Sequence, residues 1–265
     1  MKVGSEMKRQ KIRTTIQLVS MLIFPITLNY FSPYLIVQGS LEGVLAGSGV
    51  LFAGLFLFSL FLGRQFCSWL CPAGALQDVC AGIVDKPAGT GQDRLKFFLW
   101  IPWLAAILLG FVSAGGLKRI DFFYYTEHGI SVSAPGGYAI YFAVVALILA
   151  FALTLGRRSF CHGACWMSPF MILGNFVKEK LRFPAFRLHC EPDRCVSCGS
   201  CDKHCPMSLP VSRLVKSGCF FHRECILCGI CADCCPKNAI WLRMKPQSCE
   251  PRYLTASRRR GRSAD

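Results

Sequence analysis

The stretch Cys195-Val-Ser-Cys198-Gly-Ser-Cys201-Asp-Lys-His-Cys205-Pro206 recurs as Cys225-Ile-Leu-Cys228-Gly-Ile-Cys231-Ala-Asp-Cys234-Cys235-Pro236. Two copies of Cys-x2-Cys-x2-Cys-x3-Cys-Pro are the spacing that holds a pair of [4Fe–4S] clusters, the fourth cysteine of each run ligating the other run's cluster. One cluster is therefore expected on Cys195, Cys198, Cys201 and Cys235, the other on Cys225, Cys228, Cys231 and Cys205. Gly199 and Gly229 let the loops wrap. Pro206 and Pro236 fix the chain after the fourth ligand, and Val196 and Ile226 are placed to shield the clusters. Zinc is the competing metal for Cys-x2-Cys pairs, and the two full copies argue against it. Cys234 sits beside Cys235, and the x3 spacing selects Cys235. Cys80, Cys190, Cys219, Cys234 and Cys249 are left over as bystanders. Residues 190–245 read as a small α+β ferredoxin domain of the bacterial 2[4Fe–4S] type, too small to build much core without its clusters.

The rest of the chain has a different character. Of 265 residues 53% are hydrophobic, yet the net charge is +15. A soluble chain cannot satisfy both; apolar membrane spans with the charge on one side can. The 17 cysteines fall largely in metal-ligand spacing, which points to a reducing compartment rather than a disulfide framework. Four apolar runs, 14–37, 44–62, 97–116 and 138–155, are each near the ~20 residues that cross a bilayer. A fifth, 169–177, is too short and reads as an interfacial half-helix or one packed on the bundle. The fold class expected is an α-helical membrane protein, a membrane domain over 1–177, a linker over 178–189, the ferredoxin domain and a basic tail over 246–265.

Orientation follows from the basic residues. Segment 1–13 carries Lys2, Lys8, Arg9, Lys11 and Arg13, and loop 64–96 carries Arg64, Lys86, Arg94 and Lys96. Loop 38–43 has no Lys or Arg, and loop 117–137 has only Lys118 and Arg119. A multi-pass protein of the cytoplasmic (inner) membrane is expected, with both termini and the ferredoxin domain cytoplasmic. The basic-then-apolar N-terminus is read as an uncleaved first span, its apolar run being too long for a signal peptide.

The second and fourth runs end alike: Gly63-Arg64-Gln65-Phe66-Cys67-Ser68-Trp69-Leu70-Cys71-Pro72 and Gly156-Arg157-Arg158-Ser159-Phe160-Cys161-His162-Gly163-Ala164-Cys165-Trp166. Each copy follows a pair of spans, the pattern of two tandem two-helix repeats about an axis along the membrane normal. Cys67, Cys71, Cys161 and Cys165 are then expected at one depth on the cytoplasmic face. Four thiolates there suit iron or a third metal centre; a reversible dithiol or simple apolar packing are the other readings. Arg64, Arg157 and Arg158 favour thiolate over thiol, besides flanking spans in the ordinary way.

No Cys-x-x-Cys-His for c-type haem occurs, and His128, His162, His189, His204 and His222 all lie outside mid-span. The loop 121–128 is aromatic and ionisable, and Tyr125, Glu127 and His128 are candidates for a quinone site; an aromatic belt is the competing reading. That loop faces away from the clusters across ~30 Å of hydrocarbon, so a quinone near Cys67 and Cys161 connects more easily. The tail, with Arg258, Arg259, Arg260 and Arg262, suits anionic membrane lipid or acidic redox partners; no nucleic acid is expected.

These motifs together resemble the NapH-type membrane ferredoxins and the related NosR, FixG and YccM-like polyferredoxin membrane proteins. The resemblance rests on Cys67-Ser-Trp-Leu-Cys71-Pro72, Cys161-His-Gly-Ala-Cys165 and the two ferredoxin runs, and covers nearly the whole chain. It implies four spans, cytoplasmic clusters and an electron-transfer subunit that relays electrons between the quinone pool and partner redox proteins, rather than a stand-alone enzyme. The FixG-like relatives suggest an alternative, an assembly or regulatory membrane ferredoxin supplying electrons for metal-centre maturation; a scaffold with structural clusters is a third. The chain departs from the pattern at Trp166, where proline is usual and comes only at Pro169, and it shows no flavin domain of the NosR type.

Overall fold

The computed structural model describes residues 3–133, 135–181 and 184–245, without the side chains of residues 3–7 and 90. The basic tail, Cys249 and Lys2 lie outside the described residues. The described residues are mostly helical, with two small two-stranded sheets among them.

Among the described residues two helices are long and apolar enough to cross a membrane, Gly91–Ser113 and Pro135–Leu155. Their large side chains stand outward: Ile101, Leu108, Leu109, Val112, Ile140 and Phe142 are all exposed. Apolar surface on this scale is stable only against hydrocarbon or a partner.

The run expected as one span over 14–37 is not one helix. The Val3–Leu22 helix gives way at Ile23 to short turns, and Lys8–Leu22 meets Phe24–Phe31 at a bend of 64°. Pro25 lies at this break, where it lacks the N–H that would continue the ladder. Counted as one bent unit, the pair makes a third span. A separate helix, Pro33–Glu42, starts after Ser32, whose hydroxyl accepts from the Leu35 N–H at 3.4 Å, and ends at Gly43 in the left-handed region. The second expected span is also shorter than its apolar run. Val44–Ala46 is a strand, paired in parallel with Arg119–Asp121, and the helix proper is Gly47–Leu62. Its 16 residues reach ~24 Å, short of a ~30 Å hydrocarbon core.

The fifth apolar stretch is part of the Ser168–Leu181 helix, packed along Gly47–Leu62. The pair can approach because Gly174 faces Ser59: a Cβ on Gly174 would fall 1.9 Å from the Ser59 hydroxyl oxygen. The Pro33–Glu42 and Gly91–Ser113 helices meet in the same way at Ser40 and Gly110, the small-residue packing of membrane bundles. Trp166, at the position where proline is usual, packs against Trp103 with ring centroids 5.6 Å apart and the planes tilted by 51°.

Residues 178–189, expected as a linker, are largely ordered structure. The helix runs on to Leu181, and Ala185–Cys190 is a strand, antiparallel to Ile240–Lys245 with Cys190 opposite Ile240. The two strands bring the ends of the ferredoxin part together. Nor do the two parts have separate cores: one continuous buried cluster contains Phe52, Leu55 and Met171 together with Leu188, Val211, Phe220 and Ile226.

Candidate iron–sulfur site

The two cysteine runs fold as copies of one another. Ser197 and Leu227 take up positive φ (58° and 52°), as do Gly199 and Gly229 (71° and 79°), and Ser208 and Asn238 (50° and 48°). Left-handed turns at matched points curl each loop back on itself. A one-turn helix follows each loop, Ser200–Lys203 and Ile230–Asp233. The curl turns backbone N–H groups toward sulfur: Leu227 and Ile230 serve Cys225 and Cys228, Met207 and Leu209 serve Cys205, and the Ala239 N–H reaches Cys235 Sγ at 3.3 Å. Such donors stabilise sulfur bearing negative charge.

Two cavities lie inside these loops, and their walls follow the crossed pattern. One, with about 370 Å³ of atom-free space counting its mouth, has Cys195, Cys198, Cys201 and Cys235 in its lining. The other, about 340 Å³, has Cys225, Cys228, Cys231 and Cys205. Val196 lines the first and Ile226 the second. The donor set fits iron–sulfur ligation: four cysteines, apolar walls and N–H groups aimed at sulfur. Among the described residues no three cysteine sulfurs lie within 4.8 Å of one another. Burial raises the thiols, to about 12 for Cys225 and Cys201 and about 11 for Cys205, so metal binding must displace protons.

The cysteines of the two Cys-x3-Cys pairs are all buried: Cys67, Cys71, Cys161 and Cys165. Cys67 and Cys161 occupy the same position in two five-residue helices, Gln65–Trp69 and Ser159–Gly163. The four sulfurs are brought together. Cys71 is pushed well up by burial and then by Cys67, Cys161 and Cys165, each close enough to repel its charge. Burial likewise lifts Cys165 to about 12. Burial raises Cys161 too, against the opposing pull of Arg158. Gln77, fully buried, donates to Cys161 Sγ at 3.2 Å and accepts from the Phe160 N–H at 3.1 Å. These cysteines share the continuous core with Cys201, Cys205, Cys228 and Cys231.

The arginines beside them do more than flank spans. Arg64 and Arg158 hold matched places before their cysteine helices, and both are buried. Arg158 donates twice to Asp78, each at 2.7 Å, and once to the Cys67 carbonyl at 2.8 Å, tying the second copy to the first. Arg64 donates to Glu224 and to Ser168 Oγ, both at 2.7 Å. Arg157 reaches the Lys203 carbonyl at 2.7 Å. From the N-terminal helix Arg9 pairs with Asp233, and Gln10 donates to the Cys228 carbonyl at 3.2 Å. The basic residues that predict a cytoplasmic face are thus also the groups that hold the ferredoxin loops.

A further group was missed from sequence. Asp93, His162 and Glu224 each place a ligand atom within 4.8 Å of the others, all buried. His162 Nδ1 is 2.5 Å from Asp93, and Lys96 Nζ donates to Glu224 at 2.6 Å. Burial opposes the Glu224 charge, but Arg64 and Lys96 outweigh it and hold the carboxyl down at about 2. Only the position of Glu224 beside Cys225, and of His162 beside Cys161, hinted at this cluster. Tyr125, Glu127 and His128, by contrast, stand exposed on their loop. The Tyr125 hydroxyl accepts from Gln38 at 2.6 Å.

The chain is similar to known proteins over both cysteine-bearing parts. A family described as a 4Fe-4S binding domain matches twice, at residues 45–90 and 137–184, each match containing one Cys-x3-Cys copy. A family described as a 4Fe-4S dicluster domain matches residues 194–240. YccM of Escherichia coli, named for an inferred electron-transport role, is 29% identical over 196 residues, covering 69% of this chain and 52% of YccM. The methylamine utilization ferredoxin-type protein MauN of Paracoccus denitrificans is 28% identical over 184 residues, covering 66% of this chain and 60% of MauN. An uncharacterised protein of Methanocaldococcus jannaschii is 23% identical over 199 residues, 69% of each chain. The chain thus spans between half and two thirds of the length of YccM and MauN. No solved structure matches it. The chain carries 4Fe-4S ferredoxin-type domains and is homologous to electron transport proteins of the YccM and MauN type.

Proposed function

We propose that this protein is a membrane-bound iron–sulfur electron relay between the quinone pool and partner redox proteins. The observation that carries the reading is the pair of cavities, each lined by three cysteines of one run and the fourth of the other. When bound, a cluster in each cavity would take up or release one electron at a time. A quinone and its quinol differ by two electrons and two protons, so two one-electron centres match one quinol. Cys67, Cys71, Cys161 and Cys165 extend the path toward the membrane as a redox or metal site of their own.

The topology that accompanies this reading is four crossings in two tandem repeats, in the cytoplasmic membrane with both termini inside. The two matches to one family support the repeat. The matched Gly-Arg-(short helix with Cys) arrangement after Gly47–Leu62 and after Pro135–Leu155 supports it further. Docking of the ferredoxin loops on the basic face supports the orientation. The basic tail suits acidic redox partners and anionic lipid.

The test is iron and acid-labile sulfide in intact, anaerobically purified protein, with spectroscopy of the reduced form. About eight irons per chain are expected from two [4Fe–4S] clusters, and more if the membrane-face cysteines bind iron as well. Zinc in place of iron, or clusters that no physiological donor reduces, would overturn the relay.

A further inference from the structure

A large apolar pocket lies where the membrane helices meet the ferredoxin loop. It holds about 1240 Å³ of atom-free space counting its mouth. Its walls are Phe97 and Trp100 from the Gly91–Ser113 helix, Leu173 and Phe176 from Ser168–Leu181, and His222 and Arg223 just before Cys225. Leu173 and Phe176 are 47% and 40% exposed, while Met171 on the same helix is fully buried. The pocket therefore opens on the outward, apolar side of that helix, where a lipid-soluble molecule could enter.

The polar groups in the wall are few and suited to an acceptor. The Trp100 indole N–H is buried and has no acceptor among the described residues. An orphan donor of this kind is costly unless a ligand or water meets it. His222 Nδ1 accepts from the Glu224 N–H at 3.2 Å. The neutral ring then carries its proton on Nε2, free to donate. The three residues from His222 to Cys225 span at most ~11 Å.

We infer that this pocket binds a quinone, its ring between the aromatic walls, its carbonyls accepting from Trp100 Nε1–H and His222 Nε2–H, and its isoprenoid tail leaving past Leu173 and Phe176. The inference rests on the relay reading and adds the place where the membrane carrier docks. A second apolar cavity, lined by Cys71, Cys165, Val144 and Ile148 among others, is less suited. Its Asn29 amide already donates to the Tyr125 carbonyl at 2.6 Å, and among the described residues its lining holds no buried polar atom left without a partner.

The experiment uses full-length, cluster-loaded protein in detergent, with ubiquinone-1 as the probe. Binding is read by equilibrium dialysis, and reduction by ubiquinol-1 is read from the visible iron–sulfur absorbance. His222→Ala and Leu173→Trp are expected to weaken binding about tenfold or more, the first by loss of one hydrogen bond and the second by closing the mouth through which the tail leaves. Val144→Trp, which fills the second cavity, is expected to leave binding unchanged. Trp100→Phe keeps the packing and removes only the donor; it is expected to weaken binding severalfold with the absorbance intact. Wild-type binding that survives Trp100→Phe, His222→Ala and Leu173→Trp, or is lost in Val144→Trp, overturns this site while the relay stands. Wild-type protein that neither binds ubiquinone-1 nor is reduced by ubiquinol-1 overturns the quinone part of the relay itself, and the site with it.

Discussion

Arg64 donates to Glu224 across 2.7 Å, with neither side chain exposed at all. Arg64 stands just before the Gln65–Trp69 helix that carries Cys67, and Glu224 stands immediately before Cys225. One buried ion pair therefore couples the two groups of cysteines. Lys96, from a membrane helix, joins the same carboxylate at 2.6 Å, and its side chain is fully buried too.

Removing Glu224 leaves two buried cations without their counter-charge. A buried ion pair broken on one side costs about 3–5 kcal/mol. Glu224→Ala is expected to lower the thermal unfolding midpoint strongly in detergent and to expose the 178–189 segment to protease. A variant as stable as wild type would show that solvent reaches this pair.

The crossed lining of the two cavities predicts which cluster each fourth cysteine supports. Cys205→Ser is expected to remove the centre on Cys225, Cys228 and Cys231 while sparing the other. Cys235→Ser is expected to remove the centre on Cys195, Cys198 and Cys201. Electron paramagnetic resonance of the reduced variants reads the difference. Loss of the same-run cluster in either case would mean that each run keeps its own four ligands.

The membrane-face cysteines are tested by counting iron. As a metal site they raise the content above the about eight irons of two clusters, and Cys67→Ser or Cys161→Ser returns it to that level. Wild-type content that is already near eight leaves them as a reversible dithiol or as buried thiols that simply pack, and thiol titration before and after reduction tells the two apart.

Acid stability depends on Asp78. Burial alone would raise its carboxyl, but Arg158 and Arg13 overcome this and hold it below its ordinary 3.8. A lowered folded value means the stabilisation is complete above the unfolded value of ~3.9 and is lost as pH falls through the folded one. Asp78→Asn is expected to be less stable at neutral pH and to lose less on acidification. Parallel unfolding curves for both proteins from neutral to acid pH would contradict this.

The two ferredoxin-type cysteine runs and both Cys-x3-Cys pairs were legible as motifs because their spacing is local. Ligand spacing, the glycine turns and the prolines all act within a dozen residues. The helices Gly91–Ser113 and Pro135–Leu155 were legible for a similar reason, since uninterrupted apolar length is visible directly. The runs 14–37 and 44–62 misled because apolar composition does not say where the ladder breaks. Pro25 ends one helix, and pairing with Arg119–Asp121 draws Val44–Ala46 out of the other. That second cause lies far along the chain.

By itself, then, the amino-acid order determined two cluster-binding loops, a duplicated cysteine motif and an apolar body with a basic face. Tertiary structure decided what those parts meet. Arg64 and Glu224 are 160 residues apart, Lys96 and Glu224 are 128, and Arg158 and Cys67 are 91. No periodicity or spacing encodes such pairs, because a buried charge selects its partner by position in space. The pocket formed by Trp100, Leu173 and His222 belongs to the same class: three ordinary residues, given a role by the surface where the helices and the ferredoxin loop close together.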